Sequence, residues 1–337
     1  MNPRYKQFFE ESTIKEVKKE EKERILIVDS LNTFIRSFAV IQHLNKNASP
    51  IGGLTGFLRS LGYMIRVIRP HRCILVFDGQ GGSTNKRYLY PEYKANRGVT
   101  RITNWDHFDD QEQESESITA QIVRLIYYLK CLPVDILSID KIEADDVIGY
   151  ISQNVTQEVI IASTDRDYLQ LVDDRISVYS PIKKKFYHKE DILKEYFVTP
   201  QNFLNQKVLL GDKGDNVPGV KGLGIKTLAK HFPELAEEKK YELDHIITKA
   251  KSTKGLLFEK IANFDYQLKI NEKLMDLTNP NIPIQDIETI HQVLDNPKKD
   301  LKTKEFVYLY NEDELGDSIK NVQVWLYDNF FQLAKNK

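Results

Sequence analysis

Residues 143–146, Glu143-Ala144-Asp145-Asp146, carry three carboxylates in four positions, and the apolar residues Val147, Ile148 and Ile151 follow at once. The run before them, Val134 to Ile139, reads as a strand, and the run after them as a core-facing helix. The acids therefore fall where a strand ends and a helix begins. Taken alone, such a turn is ordinary, because carboxylates complement the helix dipole and accept from its free N–H groups. Three further runs change that reading. Ile25 to Val28 ends in Asp29, Cys73 to Phe77 ends in Asp78, and Val159 to Ala162 leads into Asp165 and Asp167. In a parallel sheet these ends share one edge, which is where α/β folds place their sites. Carboxylates crowded on one edge repel each other, and bound cations relieve the repulsion. An all-oxygen donor set selects hard ions, Mg²⁺ first and Mn²⁺ second.

The cations are clustered too. Between Lys86 and Arg101 stand Lys86, Arg87, Lys94, Arg97 and Arg101 against the single acid Glu92, with Tyr88, Tyr90 and Tyr93 interleaved. Cations meet phosphates and rings stack on bases, so the stretch suits a nucleic-acid strand. A solvated helix with some buried tyrosines would give the same composition. Lys183-Lys184-Lys185 forms a second cluster. A third lies in Gly211-Asp212-Lys213-Gly214-Asp215-Asn216-Val217-Pro218-Gly219-Val220-Lys221-Gly222-Leu223-Gly224-Ile225-Lys226-Thr227-Leu228-Ala229-Lys230. There a helix ending near Leu210 and one starting near Ile225 enclose a glycine turn. Gly222 and Gly224 let backbone N–H groups approach a phosphate. Lys226 and Lys230 share one helical face, with Lys221 and Thr227 beside them. The pattern reads as a helix–hairpin–helix that grips duplex backbone without reading bases. A plain glycine turn is the bland alternative. A Walker A loop is excluded, because Ile225 rather than glycine precedes Lys226-Thr227.

The elements that must position these residues alternate. Strand 25–29 is followed by a helix carrying Phe34, Ile35, Phe38 and Ile41. Helix 52–68 precedes strand 73–77, helix 117–131 precedes strand 134–139, and strand 159–162 follows the acidic turn. Such alternation predicts an α/β fold with a mostly parallel central sheet flanked by helices. Residues 256–275 read as helical. Ser318 to Lys335 reads as an amphipathic helix capping a C-terminal lobe, and a partner surface there is a second use for it. Residues 106–116 carry six acids and no cation, which predicts a mobile solvated segment. Residues 1–24 read as a charged tail, and Phe8-Phe9 could dock a partner.

Composition sets limits. The 337 residues are 41% hydrophobic, enough for a sizeable core, and formal net charge is −1. No run approaches a membrane span, and no signal-peptide core opens the chain. Cys73 and Cys131 fall in a strand and on an apolar helix, as buried free thiols of a reducing, cytoplasmic setting would. No Cys/His group has zinc spacing.

Six of these motifs, in this order, resemble the structure-specific 5′-nuclease (flap endonuclease) family. They are Val28-Asp29, Phe77-Asp78-Gly79, Tyr90-Pro91-Glu92-Tyr93-Lys94-Ala95-Asn96-Arg97, Glu143-Ala144-Asp145-Asp146, Ser163-Thr164-Asp165-Arg166-Asp167 and Gly211 to Val220. The likeness runs from about residue 25 to about residue 275. It is similar to the 5′-nuclease domain of bacterial DNA polymerase I, and more so to the stand-alone phage enzymes of ribonuclease H type.

The resemblance implies a PIN-like nuclease core at 25–195, with an arch or gateway at about 81–116. It implies a duplex-binding helical lobe at 196–280, followed by a helical extension at 281–337. It implies two Mg²⁺ ions, replaceable by Mn²⁺. Asp29, Asp78, Glu143, Asp145 and Asp146 would serve the first, and Asp165, Asp167, Asp212 and Asp215 the second. Lys94 and Arg97 would clamp the scissile phosphate, with Lys86, Arg87 and Tyr93 contacting DNA nearby. A K⁺ would sit at the hairpin. The implied activity is 5′→3′ exonuclease and flap endonuclease hydrolysis of 5′ flaps and RNA primers in replication, by a monomer. DNA or RNA–DNA hybrid 5′ ends are the implied partners, with a sliding clamp or single-strand-binding protein as further ones. A non-catalytic branched-DNA binder on this fold would lack some of the carboxylates. A short PIN nuclease would lack the glycine hairpin.

Overall fold

In a computed structural model, residues 23–97 and 108–335 are described. The Phe8-Phe9 segment, Arg101 and Asp106 lie outside them. A six-stranded sheet in the order β3-β2-β1-β4-β5-β6 organises the chain. Its strands are β1 (Arg24–Asp29), β2 (Arg72–Asp78), β3 (Asp135–Ile139), β4 (Glu158–Ala162), β5 (Ile176–Ser180) and β6 (Lys185–Tyr187). The first five run parallel and β6 returns antiparallel. Asp29 pairs with Val76 and Asp78 with Ile139, while Val28 pairs with Ala162, so the acid-bearing ends are level.

Strand residues alternate between two cores, as a period of two requires. Ile25, Ile27, Ile74, Val76, Val159 and Ile161 face one side; Leu26, Val28, Cys73, Leu75, Ile160 and Ala162 face the other. The second side is covered by helices α1 (Ser30–Val40), α2 (Gly52–Ile68) and, beyond the short α3 (Thr84–Leu89), α4 (Gln111–Leu129). The first side is covered by α5 (Ala144–Asn154) and continues without a break into α6 (Lys189–Tyr196), α7 (Pro200–Leu210) and α8 (Ile225–His231). It then runs through α9 (Leu243–Ser252), α10 (Leu256–Asn263) and α11 (Asp265–Met275). Both cysteines are buried and free. No helix among the described residues is long and apolar enough to cross a membrane.

Two expectations need correction. The acidic stretch does not stay loose in its described part: α4 starts at Gln111, and Asp110 caps it by accepting from the Gln113 N–H at 2.9 Å. Glu112 and Glu114 then sit in the first turn, where the dipole favours them. The stretch 256–275 is helical as expected, in two helices parted at Phe264. The C-terminal helix does not cap the C-terminal lobe. After α12 (Ile284–Asp295) and α13 (Thr303–Glu312), α14 (Val322–Lys335) packs on α2, and its Leu326, Phe330 and Leu333 join the core of Phe34, Phe57 and Leu61. The Trp325 ring fills the groove that Gly62 leaves open. Asp313 pins this end, accepting from Arg124 Nε at 2.7 Å and from the Tyr128 hydroxyl at 2.6 Å.

Candidate active site

The carboxyl ends of β1 to β4 bring the acids together. Glu143 is the N-cap of α5, and Asp145 and Asp146 occupy its first turn. Their ligand oxygens lie within 4.8 Å of one another. Asp78 closes the neighbouring turn, accepting from the Ala144 N–H at 2.8 Å. Asp29 caps α1 and accepts from the Ser163 hydroxyl at 3.0 Å and the Tyr168 hydroxyl at 3.2 Å. Neither Asp29 nor Asp78 shares the mutual ligand distance of the Glu143 group. Asp165 accepts from the Asp167 N–H at 3.0 Å. Lys207 then joins Asp167, at 2.7 Å, to Asp212.

The cations are placed less as expected. The Lys86 ammonium lies inside the triad, 2.9 Å from Glu143, 3.1 Å from Asp146 and 3.4 Å from Asp145. Lys94 pairs with Glu143, and Arg97 with Asp215. The Asp215 carboxylate therefore stands on the Glu143 side with Lys94 and Tyr93, while its backbone N–H donates to the Asp212 carboxylate at 3.2 Å. Tyr93 is 2% exposed, so its ring cannot stack on a base. Its single hydroxyl proton is instead shared between the Glu143 carboxylate at 3.0 Å and the Asp215 carboxylate at 3.2 Å. Arg87 is exposed, and its Nε donates to the Tyr93 carbonyl at 3.2 Å. Further hydrogen bonds tie residues 92–97 to the loop after α7. The Lys94 N–H donates to the Asp215 carbonyl at 2.8 Å, Asn96 to Lys213 at 3.1 Å, and Asn216 to Glu92 at 2.8 Å. That loop is held in turn by buried Asn271, which donates to the Val208 and Pro218 carbonyls at 3.0 and 2.8 Å. Lys221, Gly222, Gly224, Lys226 and Lys230 are exposed around it, and Thr227 is half-buried.

Sequence reasoning does not single out Lys207 or Tyr168, and quotes Ser163 only within the motif that ends in Asp167, with no role of its own. Lys207 stands five residues before Asp212, a spacing with no meaning until the loop folds back. Ser163 and Tyr168 flank the Asp165/Asp167 pair, and two hydroxyls near a strand end are the available signal.

The acids divide electrostatically. Burial opposes ionisation of Glu143, but the ammonium groups of Lys86 and Lys94 win and hold its carboxyl down at about 2. Burial pushes Asp145 and Asp146 up despite Lys86, and each feels its acidic neighbours. Burial lifts Asp29 to about 6, helped by Asp78 and Asp165 and opposed by Ser163 and Asn32. Burial and Asp165 lift Asp167 to about 7. A carboxyl whose folded value is raised binds its proton more tightly when folded, so its contribution to stability falls as pH rises from about 4 through that value. In metal-free protein, Asp29→Asn therefore gains stability over the parent as pH rises from 4 to 7. The rise of the Asp29 carboxyl to about 6 corresponds to a gain of about 3 kcal/mol at most. Urea melts in EDTA across that range check this; a gap independent of pH would contradict it.

The donor set fits divalent metal. It is carboxylate oxygen throughout, gathered from separate strand ends, and it suits a hard cation. Bound there, a divalent ion would supply Lewis-acid activation of water and neutralise nearby anionic charge.

A family model described as "5'-3' exonuclease, N-terminal resolvase-like domain" matches residues 24–197. A 5'-3' exonuclease of Aquifex aeolicus is 32% identical over 207 residues, spanning 60% of this chain and 66% of that protein. One from Buchnera aphidicola (Schizaphis graminum) is 30% identical over 263 residues, spanning 75% and 83%. Among solved structures, bacteriophage T5 D15 flap endonuclease, in a complex with DNA and metal ions, shares the fold. Its TM-score is 0.63 at 21% identity, covering 87% of this chain and 100% of that one. With a matched domain that holds the whole parallel sheet and all the strand-end acids but those of the loop after α7, the chain belongs to the 5′–3′ exonuclease family of nucleases.

Proposed function

We propose that the protein is a Mg²⁺-dependent 5′→3′ exonuclease and flap endonuclease that hydrolyses phosphodiesters of 5′ flaps and RNA primers during DNA replication. One observation carries the reading: the Glu143/Asp145/Asp146 triad opens on the same edge as Asp29, Asp78, Asp165 and Asp167, with Lys94 and Arg97 against it. Asp29, Asp78, Glu143, Asp145 and Asp146 would hold one ion, directly or through water. Asp165, Asp167 and Asp212 would hold the other, with Asp215 bridging toward Arg97. Lys94 and Arg97 bind and orient the scissile phosphate and offset charge that develops on its oxygens. Tyr93 fixes Glu143 and Asp215 by hydrogen bonds, which keeps both lysine and arginine heads near the acids. No His or Ser nucleophile is required.

The α7–α8 pair and its glycine turn act as a helix–hairpin–helix for the downstream duplex. Gly222, at φ +85°, turns the chain where a side chain would be strained. Lys260 donates to the Lys221 carbonyl at 3.3 Å, and a K⁺ at this turn would take its carbonyls in place of that ammonium. The gateway for the 5′ single strand is assigned to the region of residues 81–116, of which 98–107 lie outside the described residues; within the described part, Lys86 reaches the triad.

A 5′-labelled flap on a duplex tests the reading. Cleavage at the flap base in Mg²⁺, absent in EDTA, is the expected result, and RNA and DNA 5′ ends compared side by side give the preference. Tight binding with no cleavage in Mg²⁺ or Mn²⁺ would refute it. Lys226→Ala should weaken duplex binding alike for all sequences and reduce the salt slope by about one. An unchanged slope in a filter-binding titration would remove Lys226 from the interface.

A further inference from the structure

The two acidic groups each contain a lysine that the metal reading leaves without a role. Lys86 makes ion pairs with all three carboxylates of the triad, and its side chain is 11% exposed. Lys207 does the same between Asp167 and Asp212, at 15% exposed. Both are long, flexible stems that end in a compact point charge. Mg²⁺ binds carboxylate oxygens at about 2.0–2.1 Å. An ammonium about 3 Å from the same oxygens fills the same space, so ammonium and ion exclude one another.

We propose that Lys86 and Lys207 stand in for the divalent ions in the free protein and must withdraw before the ions enter. This rests on the metal reading above and adds a positioning role to it. In the free protein the ammonium groups keep mutually repelling carboxylates gathered in one place. Their withdrawal costs the ion pairs, so the free protein holds metal weakly. Lys86 lies on α3, beside exposed Arg87 and at the start of the basic stretch. A DNA phosphate arriving there gives the released ammonium a new partner. Metal and DNA then favour each other's binding, and the coupling is reciprocal.

Calorimetry with Ca²⁺ as the probe ion tests this without turnover. Lys86→Met should bind Ca²⁺ roughly tenfold or more tighter than the parent in the absence of DNA, within the usual range of coupling between sites. Lys86→Arg, which keeps the charge, should restore weak binding. A second measurement needs no variant. Acetylation of Lys86, read by mass spectrometry, should be slow in the free protein and accelerate on Ca²⁺ saturation, with exposed Lys184 as an unchanging reference. Equal or weaker Ca²⁺ binding by Lys86→Met, or Lys86 labelling that stays slow while Ca²⁺ is bound, would overturn the proposal and leave the metal reading intact. Absence of Ca²⁺ and Mn²⁺ binding in parent and variant alike would overturn both.

Discussion

Asp146→Asn loses flap cleavage in Mg²⁺ by at least about a thousandfold and keeps its affinity for the duplex. A factor of a thousand is about 4 kcal/mol of lost transition-state stabilisation. That is the scale of charge neutralisation by a metal held in a water-poor site. The amide is nearly isosteric, so α5 keeps its first turn, but the triad loses one anionic ligand of three. The exposed cations that would meet DNA, Lys221, Lys226 and Lys230, are untouched. Single-turnover rates on the labelled flap, beside a binding titration in Ca²⁺, separate the two effects. A variant as fast as the parent would remove Asp146 from the chemistry, and with it the reading of the triad as a metal site.

The second large effect concerns folding. A Cβ at Gly79 would lie 1.7 Å from the Ile139 carbonyl oxygen, 2.2 Å from its carbon and 2.7 Å from the Asp140 Cα. All three are backbone atoms, so no rotamer relieves the clash. Gly79→Ala must push the end of β2 away from the end of β3. That breaks the Gly79 N–H bond to the Ile142 carbonyl and the Asp78 bond to the Ala144 N–H. Overpacking together with two lost hydrogen bonds predicts a loss of about 4 kcal/mol. Gly224→Ala is the control, because nothing lies within 4 Å of its Cβ position. It should change stability by under about 0.5 kcal/mol. Urea melts of the two variants compare them directly; equal stabilities would mean that β2 and β3 do not meet as tightly as Gly79 requires.

Particular residues show what is readable before folding. Asp29, Asp78, Glu143 and Asp165 are legible because each closely follows an apolar β-type run, and a parallel sheet levels such ends whatever the connections do. The roles of Lys86 and Lys207 are not. Lys86 and the triad are separated by more than fifty residues in the chain, and only the packing of α3 against the sheet edge makes them neighbours. Tyr93 misleads because a basic, aromatic stretch has the same composition on a DNA face as on a half-buried one. The C-terminal helix displays its apolar stripe, Leu326, Phe330 and Leu333, at helical spacing. Amphipathicity identifies the buried face of a helix and says nothing about which surface buries it. Asp110 is hidden in a run of acids, although its position before Gln111 is that of an N-cap.

The hydrogen bonds between residues 92–97 and 212–216 join Lys94 and Arg97 to the glycine turn as one block. Under the proposed function, a duplex gripped at the turn and a strand held by the two cations would be kept at a set spacing. The block would then work as a caliper: a nucleic acid whose duplex grip and free end did not match its opening could satisfy one jaw only. Selection by shape would then need no contact with a base, and a loop insertion within 212–216 would reset the gauge while leaving the strand-end acids in place.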